Sequence, residues 1–190
     1  MPEEIEAKVR IDDPEAFRRR MARLGRSVGE AVFEVNRLFD DPQASLRGRG
    51  SALRVREEFR LPDRARLRTI LTFKGPRTRS RMKRRPEVEL RVEAAEPLVE
   101  ILEALGLEEA FRYEKRRTPF SGGACEVVLD EVPYLGWFAE VEGPTEEAVL
   151  AELADLGFGD AALVRAGYVR LLREHLESLG RDPRRAVFEA

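Results

Sequence analysis

Charged and apolar residues alternate along most of the extended segments of this chain. Residues 4–11, for example, read Glu-Ile-Glu-Ala-Lys-Val-Arg-Ile. Successive side chains of a strand point to opposite faces, so one face of this segment is ionic and the other is apolar. Alternation of this kind predicts strands near residues 3–11, 31–39, 52–58, 69–75, 85–93, 111–119, 124–132 and 137–142.

Four further segments carry apolar residues at helical spacing. The first begins at Asp13-Pro14 and ends at Gly25, and the others run from Pro97 to Gly106, from Thr145 to Gly157 and from about Asp160 to Leu179. Their apolar stripes need a partner, and the apolar faces of the strands supply one. We therefore predict helices on the outside of the sheet, with the ionic face pointing away from them.

The ionic face carries equal numbers of bases and acids. The bases are Lys8, Arg10, Arg54, Arg56, Lys74, Arg91, Lys115 and Arg117, and the acids are Glu4, Glu6, Glu87, Glu89, Glu126, Asp130, Glu140 and Glu142. An antiparallel sheet with one solvated face alternates in a similar way. Two features favour an enclosed face instead: these positions contain few neutral polar residues, and Glu-x-Glu occurs three times, which a bound cation or opposing bases make tolerable.

These patterns predict an α+β fold in which eight antiparallel strands close into a barrel, with helices packed on the outside. A barrel lined by charge implies a wet tunnel for a highly charged ligand. We expect a single domain over residues 1–180 and a flexible tail over residues 181–190. The basic segment 77–85 is either a solvated loop or, in part, an extension of the lining.

Composition narrows the chemistry. Charged residues make up 37% of the 190 residues, but the net charge is only −2, which gives no reason to expect a nucleic-acid binder. Cys125 and His175 are the only residues of their types, so disulfides, zinc sites and histidine-based triads are not expected. Carboxylates remain as metal ligands and favour Mg²⁺ or Mn²⁺. No membrane-spanning run or targeting segment is evident, and we expect a cytoplasmic protein.

A series of short motifs occurs in order along residues 3–172. They are Glu4-x-Glu6-x-Lys8, Asn36 with Phe39-Asp40, Leu53-Arg54-Val55-Arg56, Leu71-Thr72-Phe73-Lys74-Gly75-Pro76, Ser80-Arg81-x-Lys83, Glu87-x-Glu89, Lys115-Arg116-Arg117, Leu129-Asp130-x-Val132, Leu135-Gly136, Glu140-x-Glu142-Gly143-Pro144 and Tyr168-x-x-Leu171-Leu172. This series resembles the CYTH superfamily, the triphosphate tunnel metalloenzymes. Leu38, where an aromatic residue is usual, and Gly167, where a serine is frequent, depart from the pattern.

The resemblance implies an eight-stranded tunnel that binds a triphosphate and a divalent metal ion. It places the metal ion, Mg²⁺ or Mn²⁺, on Glu4, Glu6, Asp130, Glu140 and Glu142. It assigns the phosphates to the bases Lys8, Arg54, Arg56, Lys74, Arg85, Lys115 and Arg117. Lys8 could alternatively orient a nucleophile, and Lys8 and Glu6 are the implied catalytic positions.

Three functions fit this resemblance. Class IV adenylyl cyclases, the preferred reading, convert ATP to cyclic AMP and pyrophosphate, whereas the triphosphatases of the superfamily hydrolyse tripolyphosphate, thiamine triphosphate or nucleoside triphosphates. A polyphosphate- or nucleotide-binding module without turnover is the third, although carboxylates without a metal ion would only repel such a ligand. The expected partner is ATP or another triphosphate, with no nucleic acid or membrane, and a homodimer is possible.

Overall fold

The computed structural model describes residues 3–76, 83–159 and 162–189, except for the side chains of Glu3, Glu4, Lys83 and Arg84. The strands are β1 (Glu3–Ile11), β2 (Ser27–Val28), β3 (Val32–Asp40), β4 (Ala52–Arg60), β5 (Arg66–Lys74), β6 (Lys83–Val92), β7 (Glu108–Ser121), β8 (Glu126–Val132), β9 (Gly136–Glu142) and β10 (Arg185–Ala186). The helices are α1 (Pro14–Arg23), α2 (Ser45–Gly48), α3 (Ala95–Ala104), α4 (Glu146–Asp155) and α5 (Tyr168–Ser178). None of these helices is long and apolar enough to cross a membrane. All eight predicted strands are present.

Eight strands form one curled antiparallel sheet in the order β7-β3-β4-β5-β6-β1-β9-β8. The long strand β7 lies at both ends of this order, because it pairs with β3 over Glu108–Arg117 and with β8 over Arg116–Phe120. The alternating side chains of these strands therefore face a common interior. The predicted α+β architecture with an antiparallel sheet is confirmed.

The predicted closed barrel is present only in part. β6 pairs with β1 over Lys83–Pro86, whereas its section Glu87–Val92 pairs with β5 alone among the described residues. The register explains this difference, because Glu3, where β1 begins, lies opposite Pro86 and leaves no described residue of β1 beside the rest of β6. The sheet is consequently a curled wall with an open section along β6.

The largest core lies between the outer face of the sheet and two helices. Asp13 caps α1 by accepting a hydrogen bond from the backbone N–H of Ala16, and Thr145 caps α4 by accepting one from Ala148. The core combines strand residues Ala7, Val9, Ile11, Phe120, Val127, Leu129, Ala139 and Val141 with Phe17, Met21, Val149 and Leu153 of the helices. These helices lie on the outside, as predicted.

A smaller cluster covers the outer face further round the sheet. It packs Val99 and Leu102 of α3 against Val55 of β4. Leu53 and Leu71 lie beside them and are partly buried. Three helices, α1, α3 and α4, thus follow the predicted arrangement, in which apolar stripes cover the apolar side of the strands.

The fourth predicted helix differs from the prediction in both extent and position. The helix α5 begins at Tyr168 instead of near residue 160, and it packs across one end of the interior. Its buried residues Tyr168, Leu172 and Leu176 contact Phe111, Tyr113 and Phe138. Those three aromatic residues continue the interior alternation of β7 and β9 toward that end. The interior is apolar there, so the apolar stripe of α5 finds its partner inside the sheet.

Residues 181–189, the described part of the segment predicted as a flexible tail, pack against the sheet. Strand β10 pairs in parallel with β7, and Ala186 is fully buried. The backbone N–H of Phe188 donates to Glu114 at 2.9 Å, and the Arg116 guanidinium carbon lies 4.1 Å from the Phe188 ring centroid. The basic residues before β10 obscured this short apolar segment in the sequence.

Gly143 links β9 to α4 at a point with no room for a side chain. A Cβ atom there would lie 2.7 Å from the Cys125 Sγ and 2.9 Å from a methyl carbon of Val149. We expect Gly143→Ala to lower the free energy of unfolding by about 1–3 kcal/mol, because both neighbours are in the packed core. Urea unfolding measures this change. Gly48→Ala, which adds a Cβ with no neighbour within 4 Å, is the control; equal effects would contradict the explanation.

Candidate active site

The interior of the curled sheet is a cavity of about 1850 Å³. Ten of the twelve predicted site residues line it: Glu6, Lys8, Arg54, Arg56, Lys74, Arg85, Lys115, Arg117, Glu140 and Glu142. The side chain of Glu4 lies outside the described part of the structure, although its backbone pairs with Arg85. The segment 77–82 is also outside the described residues, so its predicted extension of the lining is not described.

Asp130, the twelfth site residue, does not line the cavity: it is fully buried and enclosed by Lys115, Arg117 and Tyr168. Its carboxylate accepts hydrogen bonds from Lys115 Nζ at 3.0 Å and from Arg117 Nε and Nη2 at 2.8 and 2.7 Å. The Tyr168 hydroxyl donates to it at 3.0 Å. Asp130 therefore fixes two of the predicted phosphate-binding bases and connects them to α5.

Lys8 is almost completely buried, with 2% of its surface exposed. Its Nζ lies 3.2 Å from Glu140 Oε1 and 3.2 Å from the ring centroid of Tyr168. Burial, followed by the charges of Asp130 and Glu140, raises the pKa of the Tyr168 hydroxyl well above its usual value. The hydroxyl thus stays protonated as a donor, and the electron-rich ring face stabilises the adjacent ammonium group.

Glu140 joins this cluster to Arg117. Its second oxygen, Oε2, accepts a hydrogen bond from Arg117 Nη2 at 2.5 Å, while Oε1 faces Lys8. Burial alone would lower the pKa of Arg117, but Asp130 and Glu34 raise it well above its usual value. One carboxylate consequently orients two of the predicted phosphate-binding bases, and Arg117 remains charged.

Glu34 is a fully buried acid of β3 that the sequence analysis did not single out. Burial by itself raises the pKa of a carboxyl group, but the charges of Lys115, Arg117 and Arg56 hold the pKa of Glu34 well below its usual range. The carboxylate is therefore ionised at neutral pH. Its position two residues before Asn36 in an alternating strand was the available signal.

Two more of the predicted phosphate-binding bases, Arg54 and Arg56 of β4, contact polar side chains of the interior. Arg56 Nη2 lies 3.3 Å from Glu89, and Arg54 Nη2 donates to Thr72 at 3.3 Å. Burial by itself raises the pKa of Glu89. The charges of Arg56 and Arg54 and the hydrogen bond from Thr72 outweigh this effect, so the pKa lies below its usual value. Lys74 likewise pairs with Glu87. The bases are thus held by short contacts among the strands β4, β5 and β6.

Carboxylates also line up across β1, β9 and β8. In the register of the sheet Glu142 lies opposite Glu6 on one side and opposite Glu126 on the other. Like charges directly opposite each other destabilise a sheet, so this row fits a hard divalent cation, for which oxygen ligands are suitable. The described side chains themselves do not gather three acids around one point.

A model of the CYTH domain matches residues 2–158. The chain belongs to the CYTH family. One relative, named "Putative adenylate cyclase MJ0240", from Methanocaldococcus jannaschii, is 27% identical over 177 residues, which cover 88% of this chain and 97% of the relative. The resemblance seen in the motifs is therefore confirmed.

Solved structures show the same fold. A protein of Vibrio parahaemolyticus described as a putative adenylate cyclase has a TM-score of 0.77 at 23% identity, covering 89% of this chain and 97% of its own. The PH1819 protein of Pyrococcus horikoshii gives 0.75 at 23% identity, covering 90% and 98%. A Hippeastrum protein, HpAC1, described as a putative adenylyl cyclase with a dominant triphosphatase activity, gives 0.65 at 17%, covering 94% and 97%.

Proposed function

We propose that this CYTH protein is a metal-dependent enzyme that processes a triphosphate inside the cavity. The observation that supports it most directly is the cluster of Lys8, Lys115 and Arg117: the two lysines are almost completely buried, and all three side chains line one interior. A triphosphate brings about four negative charges, and hydrogen bonds between charged groups are roughly twice as strong as neutral ones. Arginine forks also match the geometry of phosphate oxygens.

The specific reaction we propose is the cyclisation of ATP. The 3′-hydroxyl oxygen bonds to the α-phosphorus, the bond from that phosphorus to the bridging oxygen breaks, and pyrophosphate leaves with release of a proton. The name of the Methanocaldococcus relative supports this choice. The bases of the cavity would hold the β- and γ-phosphates in line with the attacking hydroxyl, since orientation supplies much of the rate in such a transfer.

Hydrolysis to orthophosphate is the second candidate, because the same cavity needs only to place water at the terminal phosphorus. It is supported by the triphosphatase activity described for the Hippeastrum protein of the same fold. Placement of the nucleophile separates the two reactions. Lys8, held by Glu140 and by the ring of Tyr168, is the base we assign to orienting that nucleophile.

Glu6, Glu140 and Glu142 are the acids that we propose as ligands of Mg²⁺ or Mn²⁺, together with Glu4. They fit because all supply oxygen and because Glu6 and Glu142 face each other across β1 and β9. A bound divalent ion supplies Lewis-acid stabilisation of the charge that develops on the leaving phosphate. We assign Glu6 a catalytic role as well. Asp130, enclosed by its own partners, would act by positioning Lys115 and Arg117.

One assay distinguishes these functions. The protein is incubated with ATP, thiamine triphosphate or tripolyphosphate and with Mg²⁺ or Mn²⁺, and cyclic AMP, pyrophosphate and orthophosphate are separated by ion-exchange chromatography. We expect equal amounts of cyclic AMP and pyrophosphate from ATP, and no product in EDTA. Orthophosphate without cyclic AMP would replace the cyclase with the triphosphatase. Binding without product at every metal concentration would contradict both enzyme proposals and leave a binding module.

A further inference from the structure

Glu34 lies among three of the bases that are proposed to hold the phosphates. Its Oε2 lies 3.4 Å from Lys115 Nζ, and its Oε1 lies 3.5 Å from Arg117 Nε and 3.6 Å from Arg56 Nη1. The three bases therefore surround one fully buried carboxylate. A ligand phosphate that enters this part of the cavity would meet the same three cations.

The contacts of Glu34 with the three bases are ion pairs rather than well-formed hydrogen bonds. Oε1 is buried and has no hydrogen-bond partner in the described structure. Oε2 accepts one bond, from the Asn36 side-chain amide at 3.2 Å. The three bases thus keep donor capacity that the carboxylate does not use, and a tetrahedral phosphate with more oxygen atoms can use it.

We propose that Glu34 is an internal counter-anion that keeps Lys115, Arg117 and Arg56 ordered before the ligand arrives and that lowers affinity for the triphosphate. This inference rests on the proposed triphosphate function. Without Glu34 the three cations would repel one another, so the ligand-free protein needs it. Once a triphosphate supplies negative charge, Glu34 repels the ligand across a low-dielectric interior. The residue thereby sets how tightly the cavity binds phosphate chains.

Glu34 is proposed to stabilise the ligand-free protein and to weaken ligand binding, so its removal should change stability and affinity in opposite directions. In Glu34→Gln we expect a lower melting temperature without ligand and a Kd for tripolyphosphate reduced on the order of tenfold, since one repulsive charge is removed. Isothermal titration calorimetry with tripolyphosphate in EDTA measures the affinity without turnover, and differential scanning fluorimetry measures the melting temperature. A merely structural role would reduce stability and weaken binding together.

Glu58→Gln is the matched control, because Glu58 is an equally buried acid on the next strand. It pairs with Arg68 at 2.5 Å and lies 3.4 Å from Arg56, but its ion pairs do not include Lys115 or Arg117. For Glu58→Gln we expect reduced stability but a change in Kd of less than about threefold, well below the roughly tenfold change expected for Glu34→Gln.

A second variant serves if Glu34→Gln does not fold. Glu34→Asp keeps the negative charge but moves the carboxylate away from the bases and the ligand, and it should tighten binding to a smaller degree.

The outcomes separate this inference from the proposed function. If the unsubstituted protein does not bind tripolyphosphate, the proposed function fails. If it binds, and Glu34→Gln or the folded Glu34→Asp binds with unchanged or higher Kd, the counter-anion proposal is overturned while triphosphate binding stands. Equal tightening in Glu58→Gln would also overturn it, because the effect would then come from total charge and not from the position of Glu34.

Discussion

Glu140→Gln is expected to reduce turnover of the triphosphate substrate by about a hundredfold or more. The substitution keeps the shape of the side chain but removes the charge that we assign to the metal ion. Lewis-acid stabilisation of a developing charge contributes several kcal/mol, and each 1.36 kcal/mol corresponds to a factor of about ten in rate. Steady-state kinetics at saturating Mn²⁺ and substrate measures the loss.

Glu140 also holds Lys8 and Arg117, so a second measurement is needed to assign the effect. Binding of tripolyphosphate in EDTA should persist in Glu140→Gln, because an acid is removed from beside the bases. Glu131→Gln is the control: Glu131 is on β8, pairs with Arg116 at 2.9 Å and does not line the cavity. Turnover at the level of the unsubstituted protein in Glu140→Gln would remove Glu140 from the metal site.

The curled sheet could be predicted because its alternation is strong in every strand. Each one-residue step moves a side chain to the opposite face, so the ionic and apolar sets of β1, β8 and β9 specify one register. The same alternation placed the bases that line the cavity. The position of β6 relative to β1 could not be predicted, because cross-strand register depends on pairing between segments that are distant in sequence.

Two elements could not be placed from the sequence for a common physical reason. The apolar residues of the helix α5 and of the segment around the two-residue strand β10 have two possible partners, the outer face or one end of the interior. Phe111, Tyr113 and Phe138 favour the interior, but their significance depends on knowing where the charged lining ends. Glu34 was missed for a related reason. Nothing local to β3 indicates that its acid meets Lys115 of the neighbouring β7.

Lys115→Met is expected to weaken tripolyphosphate binding by about 2–5 kcal/mol, the range measured when one member of a buried charge pair is removed. Lys115 is 2% exposed and connects Glu34 to Asp130, at 3.4 and 3.0 Å. Methionine has a similar volume, so packing is largely preserved. The free energy of unfolding should also fall, since Glu34 and Asp130 each lose a partner.

A double variant separates the loss of binding from the loss of stability. Combining Lys115→Met with Glu34→Gln removes both charges of one pair, and we expect it to recover part of the free energy of unfolding because Glu34 no longer lacks its counter-charge. Tripolyphosphate binding should remain weaker than in the unsubstituted protein, since the phosphate-binding ammonium group is still absent. Urea unfolding and calorimetry of all four proteins complete the cycle. Full recovery of binding in the double variant would show that Lys115 serves only to neutralise Glu34, and would remove it from the phosphate site.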